Sequence, residues 1–362
     1  IRRPPRSTRK ESSAASDVYK RQDLDDLLGM LVEGVDLSED QSMTLMIEMA
    51  KGTIEPALAG AILIALRMKG ESADEVRGFA NGMRSVAKIV ELPDAMETID
   101  IVGTGGDGSQ SYNISTGAAL LTAACGLRVA NHGNRSVSSK SGSADVLEAA
   151  GINIELNAEQ VASCIENVGI GFMFAPMHHS AMKHAIGPRR ELGVRTLFNV
   201  LGPLTNPAAA PNQLIGVFSK EWLNPLAETL KQLGSNHVLV VHSEDGMDEI
   251  SISAETLIAE LKNGKIKNYK ISPDSFGISK YNIEELSVKN TNESLTMMKS
   301  VLDNNDNAAK AIVSINAGAS IYAAGICNSI NDGIDKALDV IESGAAKKKL
   351  EMLIQYSQSF NT

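Results

Sequence analysis

Cysteine is scarce in this chain. Its three cysteines, Cys125, Cys164 and Cys327, lie far apart and form no C-x-x-C pair. That spacing argues against a disulfide framework and a thiolate zinc site, and it fits a reducing cytoplasm. Aromatic residues make up only 4%, so Ala, Ile, Leu, Val and Met must supply most of the 43% that is hydrophobic. No apolar run reaches the roughly 18 residues of a membrane span. The longest, "ALAGAILIAL" (Ala57–Leu66), is expected to be a buried helix. Positive charge is also in deficit, with 34 Lys and Arg against 44 Asp and Glu, a net charge of −10. Nucleic acid and anionic membrane are therefore poor candidates for the main partner.

The first 22 residues break this pattern, with seven basic residues against two acidic ones and few large apolar side chains. The sequence begins at Ile1 rather than Met. A transit peptide shares this Arg- and Ser-rich composition. We read the segment as a foreign or mistranslated leader, disordered and outside the fold.

The rest is long enough for one large or two medium domains. Residues 23–92 carry helical signals. Ser38 with Gln41, and Ser72 with Glu75, are capping boxes; Pro56 opens a helix, and Gly52 and Gly70 close two. From "IDIVGTGGDG" onward short β-branched runs alternate with helical stretches, the mark of an α/β domain. "LRVAN", "INIEL", "QLIGVFS", "HVLVVHS" and "KIKNYKI" read as strands. The helix-rich stretch near 158–190 is expected to rejoin the helical domain. The α/β domain would then hold 93–157 and 191–362.

"GTGGDG" (Gly103–Gly108) satisfies G-x-G-x-x-G, but its surroundings contradict a dinucleotide fold. The acid expected about 20 residues later, on the ribose, is missing from "RVANHGN". Asp107 sits where bare backbone should meet a pyrophosphate, and no G-K-[ST] comes after it to make a Walker loop. The loop leads instead into "SYNISTGAA", where Asn113, Ser115 and Thr116 open a helix. Free N–H groups and hydroxyls at such a terminus can seat a phosphate or diphosphate; an ordinary turn and cap is the plainer possibility. "NHGNRSVSSKSGSADVLEA" offers a second polar loop able to wrap phosphate oxygens, although its His taken alone reads as a local hydrogen-bonding residue. "GMDEIS" sets Asp248 beside Glu249 in a turn. Such a pair suits Mg²⁺, which keeps water and phosphate among its ligands; in isolation it would pass for a solvated acidic turn.

Taken together, "DIVGTGGDGSQSYNISTGAA", "HGNRSVSSKSGSADVLEA", "FMFAPMHHSAMKHAIGPRRELGVRTLFNVLGPLTNPA" and "VVHSEDGMDEIS" resemble the anthranilate phosphoribosyltransferase family over nearly everything after residue 22. The resemblance implies an α/β fold class: a small α-helical domain plus a larger α/β domain with a central, mostly parallel sheet. It implies Mg²⁺-dependent transfer of phosphoribosyl from 5-phosphoribosyl 1-diphosphate to anthranilate in tryptophan biosynthesis, two Mg²⁺ per subunit, and a homodimer joined through the helical domain. Contacts to phosphoribosyl diphosphate would come from Gly103, Gly106, Asp107, Ser111, Asn113, Ile114, Ser115 and Thr116. The second loop would add Asn131, His132, Gly133, Asn134, Arg135, Ser136, Val137, Ser138 and Ser139, with Ser143. Anthranilate would meet Gly103, Asn134 and Arg189, in a channel lined by His132, His179 and Pro203. Ser115, Asp248 and Glu249 would bind metal, and Asp107 and Arg189 would support the transition state. The family usually carries Lys where this chain has Asn131, whose neutral amide is expected to face the phosphates instead. Two alternatives share the fold: a pyrimidine nucleoside phosphorylase, and an inactive nucleic-acid-binding relative. The first lacks the "RRELG…FNVLGPLTNP" stretch; the second should be basic, with a degraded acidic pair.

Overall fold

The capping boxes and glycine stops do begin and end the helices of the first part of the chain. In the computed structural model, which describes residues 24, 26–136, 140–278 and 281–361, Ser38 and Gln41 cap helix Glu39–Lys51 reciprocally, and Gly52 ends it at φ +73°. Pro56 opens helix Pro56–Lys69, and Ser72 and Glu75 bond each other's backbone N–H at the start of helix Ala73–Ser85. Gly78 and Gly82 let that helix press against Glu39–Lys51: a Cβ at Gly82 would lie 2.8 Å from the Met43 carbonyl oxygen, and one at Gly78 would collide with that of Glu39. Leu45, Met46, Ile62, Leu66 and Phe79 fill the space between the helices. The leader lies outside the described residues.

The chain divides into two compact units: residues up to Ser85 with Ala181–Phe198, and Val86–Ser180 with Asn199–Thr362. The stretch that rejoins the helical unit is thus 181–198, centred on helix Lys183–Leu192, rather than 158–190. Helix Ala158–Val168 stays in the α/β unit because its apolar face, Val161, Cys164 and Ile165, joins the core around the sheet.

That sheet has seven strands: β1 Thr98–Gly103, β2 Arg128–Gly133, β3 Ile170–Phe174, β4 Asn212–Gly216, β5 His237–Ser243, β6 Thr256–Lys262 and β7 Lys265–Ile271. Their order is β3-β2-β1-β4-β5-β6-β7, parallel from β3 to β5 and antiparallel from β5 to β7. Two strands went unrecognised in the sequence. β3, "IGFMF", is buried throughout and has no alternation to reveal it, and the inward-facing Glu260 of β6 interrupts an apolar run. Conversely, Ile152, Ile154 and Leu156 bury alternate side chains as a strand would, yet residues 152–156 join no ladder.

Candidate active site

The chain runs outward from β1 through β2 to β3, then returns to place β4 on the other flank of β1. Such a reversal opens a crevice beyond the carboxyl ends of the two strands, the usual ligand position in open α/β sheets. Gly103 of β1 pairs there with Gly216 of β4. The turn after β5 brings Asp248 back over both glycines. A Cβ on Gly103 would stand 2.5 Å from Asp248 Oδ2, and one on Gly216 would collide with the Asp248 carbonyl.

The glycine loop follows β1. Gly105, Gly106 and Gly108 occupy the left-handed region, at φ +67°, +74° and +84°, where side chains other than Asn and Asp are rare. Gly105 N–H donates to Asp248 Oδ2 at 2.7 Å, and Asp107 Oδ1 accepts from Ser109 N–H at 3.1 Å. Ser111 bridges to Ser287, which anchors the end of the loop. Helix Ile114–Ala124 then begins without a side-chain cap. Asn113, at the N-cap, is committed elsewhere: its amide nitrogen donates to the Ser141 carbonyl at 3.1 Å, and its oxygen accepts from Ser294 Oγ at 2.7 Å. The first-turn N–H groups of that helix, with Ser115 and Thr116 in the turn, form an electropositive end suited to an anion.

Asp248 and Glu249 are both buried. Burial, reinforced by the neighbouring Asp107 carboxylate, pushes Asp248 up to about 7. Burial and then the Asp248 charge raise Glu249 well above the carboxylate range, while Ser115 Oγ donates to Glu249 Oε1 and partly opposes the rise. Two adjacent buried carboxylates favour protonation where no positive charge among the described residues compensates them. A hard divalent cation would supply that charge, and the all-oxygen set of Ser115, Asp248 and Glu249 fits Mg²⁺. Among the described residues no group of three His, Cys, Asp or Glu side chains forms a fuller metal cage.

In the second loop, Asp145 is the organiser that the sequence pattern did not reveal. Its Oδ2 accepts from Ser136 N–H at 3.0 Å and from Gly142 N–H at 2.9 Å, clasping both ends of the loop. Its place three residues after Gly142, at the start of helix Ser143–Ala149, was the available signal. Ser143 Oγ approaches the Asn134 carbonyl at 3.4 Å, and the Asn134 side chain is exposed. Val137, Ser138 and Ser139 lie outside the described residues.

Two expected phosphate donors are directed elsewhere. Arg135 pairs with Glu148 at 2.7 Å and Asp145 at 3.1 Å, and its guanidinium lies 5.5 Å from the centre of the Phe174 ring. Asn131 is 4% exposed, and its amide nitrogen donates at 2.8 Å to the Ile101 carbonyl, tying β2 to β1 instead of facing a ligand.

His132 is buried between Asp100 Oδ2, 2.5 Å from Nδ1, and the Gly202 carbonyl, 2.8 Å from Nε2. His179 Nε2 lies 3.1 Å from the Thr205 carbonyl, and because a carbonyl only accepts, the ring nitrogen is the donor. Burial pulls the His179 pKa down to about 4, and its Nδ1 has no hydrogen-bond partner among the described residues. Pro203 accepts from Gln213 Nε2 at 3.0 Å, which fixes helix Phe198–Leu204 to β4. In the helical unit Arg189 sits on helix Lys183–Leu192, partly buried, its guanidinium 5.0 Å from the Phe198 ring centre. Burial lowers its pKa from the usual arginine value. Phe198 gives that guanidinium a flat apolar surface.

Residues 25–87 match the Glycosyl transferase family, helical bundle domain, and residues 95–347 the Glycosyl transferase family, a/b domain. The anthranilate phosphoribosyltransferase of Thioalkalivibrio sulfidiphilus is 53% identical over 93% of this chain and 99% of its own length. That of Methylococcus capsulatus is 54% identical over 93% and 99%. Among solved structures, anthranilate phosphoribosyltransferase from Thermus thermophilus superposes with a TM-score of 0.87 at 40% identity, covering 92% of this chain and 99% of that one. The Saccharomyces cerevisiae enzyme, solved in complex with PRPP and Mg, gives 0.85 at 26% identity over 93% and 98%. The chain belongs to the anthranilate phosphoribosyltransferase family, glycosyltransferases that make N-(5-phosphoribosyl)anthranilate in tryptophan biosynthesis.

Proposed function

We propose that the crevice at β1 and β4 binds 5-phosphoribosyl 1-diphosphate with Mg²⁺ held by Ser115, Asp248 and Glu249, two ions per subunit. The observation that carries this is the buried acidic pair, Asp248 lying over Gly103 and Gly216 and Glu249 meeting Ser115, beside an uncapped helix N-terminus. The backbone N–H groups of Ser115 and Thr116 in the first helical turn, with the hydroxyls of Ser111 and Thr116 and the main chain of the glycine loop at Gly106, are suited to the phosphate oxygens. Bound Mg²⁺ would neutralise charge gathering on the departing diphosphate.

The chain's own groups handle the remainder. The anthranilate nitrogen forms a bond to ribose C1 as the C1–O bond breaks, and that bond's electron pair leaves with the diphosphate. The amine then loses a proton. An aromatic amine is already neutral near pH 7, so the site has no need of a strong base. Neutral His179 and the apolar Pro203 suit an uncharged amine and ring. Arg189, set against Phe198, is the proposed partner of the anthranilate carboxylate.

A homodimer through the helical unit is supported by apolar side chains left exposed there: Val32 at 72%, Met68 at 82% and Val194 at 47%. A cytoplasmic location fits three cysteines that remain free thiols, and no described helix is long and apolar enough to cross a membrane. Anthranilate fluorescence tests the function. It should fall when 5-phosphoribosyl 1-diphosphate and Mg²⁺ are both added to folded protein, and an unchanged signal would overturn the proposal.

A further inference from the structure

Main-chain pairing between β1 and β2 covers Thr98 with Arg128 and Ile99 with Val129, although the strands run on to Gly103 and Gly133. Beyond Ile99 polar side chains supply cross-links. Asn131 reaches the Ile101 carbonyl. Asp100, wholly buried, accepts the His132 backbone N–H at 3.3 Å through Oδ1 and faces His132 Nδ1 at 2.5 Å through Oδ2. From the other side Asn206 donates to the Ala130 carbonyl at 2.8 Å, and the Gly202 carbonyl faces His132 Nε2 at 2.8 Å.

We propose that Asp100 is a positioning residue that holds His132 as a doubly protonated imidazolium, so that one ring fixes the end of β2 to the Gly202–Asn206 segment. A neutral imidazole carries a single N–H, and both ring nitrogens here face oxygen acceptors. With Nε2–H on Gly202, a bare Nδ1 would set its lone pair against a carboxylate oxygen at 2.5 Å; a proton belongs between them. Asn206 Nδ2, 3.4 Å from Nδ1, is the more distant neighbour and is already bonded to Ala130. Among the described residues, His178 and His179, which come after β3, also act on this ring. Burial lowers both, and the His132 charge adds to it, directly after burial at His179 and behind the Lys88 contacts at His178; of the three rings it is therefore His132, opposite Asp100, that carries the charge.

The consequence for catalysis rests on the function proposed above. Asn134 lies two residues beyond His132, and Pro203 lies next to Gly202; both are assigned to anthranilate. The ion pair therefore sets the separation of two anthranilate-facing segments, while the diphosphate seat at Gly106 and Ser115 is built from other contacts.

Histidine-labelled wild-type protein tests the charge directly. Nitrogen NMR, with His132 assigned by difference against His132→Gln, should show both ring nitrogens protonated from about pH 6 to about pH 9, well above where an ordinary His loses its charge. A singly protonated ring across that range would overturn the proposal. This readout needs no activity, so a silent transferase assay would count against the proposed function and not against the ion pair. In Asp100→Asn, KM for anthranilate should rise about tenfold or more near pH 8, the loss expected for a charge-assisted hydrogen bond. It should recover partly near pH 6 as His132 regains its proton, with KM for 5-phosphoribosyl 1-diphosphate little changed. Equal rises in both KM values, with no recovery at low pH, would also overturn it. Should this variant fail to fold, the wild-type spectrum alone decides.

Discussion

Asp248 and Glu249 are buried as acids that cannot readily ionise without a partner. Asp248 has a folded pKa of about 7 against an ordinary 3.8, so the metal-free fold binds its proton more tightly than the unfolded chain does. Stability from this group is therefore present at low pH and is lost as pH rises from about 4 through about 7. With the proposed ligand set, Mg²⁺ would compete with that proton. Scanning calorimetry should show Mg²⁺ raising Tm more at about pH 8 than at about pH 5.5; an equal rise at both would separate the metal from these carboxylates. Glu249→Ala should shift the Mg²⁺ requirement for activity upward, and an unchanged metal titration would remove it from the ligand set. Arg189→Ala would remove the proposed charged contact to the anthranilate carboxylate, about 1.5–3 kcal/mol. Its kcat/KM for anthranilate should fall roughly 10- to 150-fold, with KM for 5-phosphoribosyl 1-diphosphate nearly intact. Asn131 shows the limit of sequence reasoning at this scale. A polar residue beside a glycine-rich loop looks like a ligand contact, but its amide is committed to Ile101. Asn131→Lys should lower stability by about 1–3 kcal/mol instead of tightening phosphate binding, as a urea midpoint would show.

At the scale of elements, the capping boxes at Ser38 and Ser72, the Pro56 start and the Gly52 stop were legible because each is a local arrangement of side chain and backbone. The glycine loop was legible for the same reason, since left-handed turns select their residues. β3 was not, because a strand buried on both faces has no period of two to display. Residues 152–156 erred the opposite way: alternation reports burial, and pairing depends on a neighbour that the pattern cannot name. Gly216 was invisible as a site residue because its role is set by Asp248, 32 positions away, crossing over it. Gly216→Ala should displace the Asp248 main chain and weaken Mg²⁺-dependent binding of 5-phosphoribosyl 1-diphosphate by at least about tenfold, while far-ultraviolet circular dichroism stays close to wild type.

At the scale of the whole molecule, the two-domain division came from one change of pattern, helical up to residue 92 and alternating after it, and the structure divides the chain at Val86. The point of return to the helical unit did not. Helix Ala158–Val168 and helix Lys183–Leu192 are both amphipathic, and only packing assigns the first to the sheet and the second to the helical bundle. The acidic composition favours a cation-assisted site for a small anion over a surface for nucleic acid, and the proposed seat for that anion is assembled from the ends of three strands and one helix. Titration calorimetry of 5-phosphoribosyl 1-diphosphate, without anthranilate, tests this assembly most directly. Mg²⁺ should tighten binding to the wild-type chain by more than about tenfold, and should do little for the Asp248→Asn, Glu249→Gln double variant. If Mg²⁺ tightened binding equally in both proteins, the acidic pair over Gly103 and Gly216 would not be the metal-diphosphate seat.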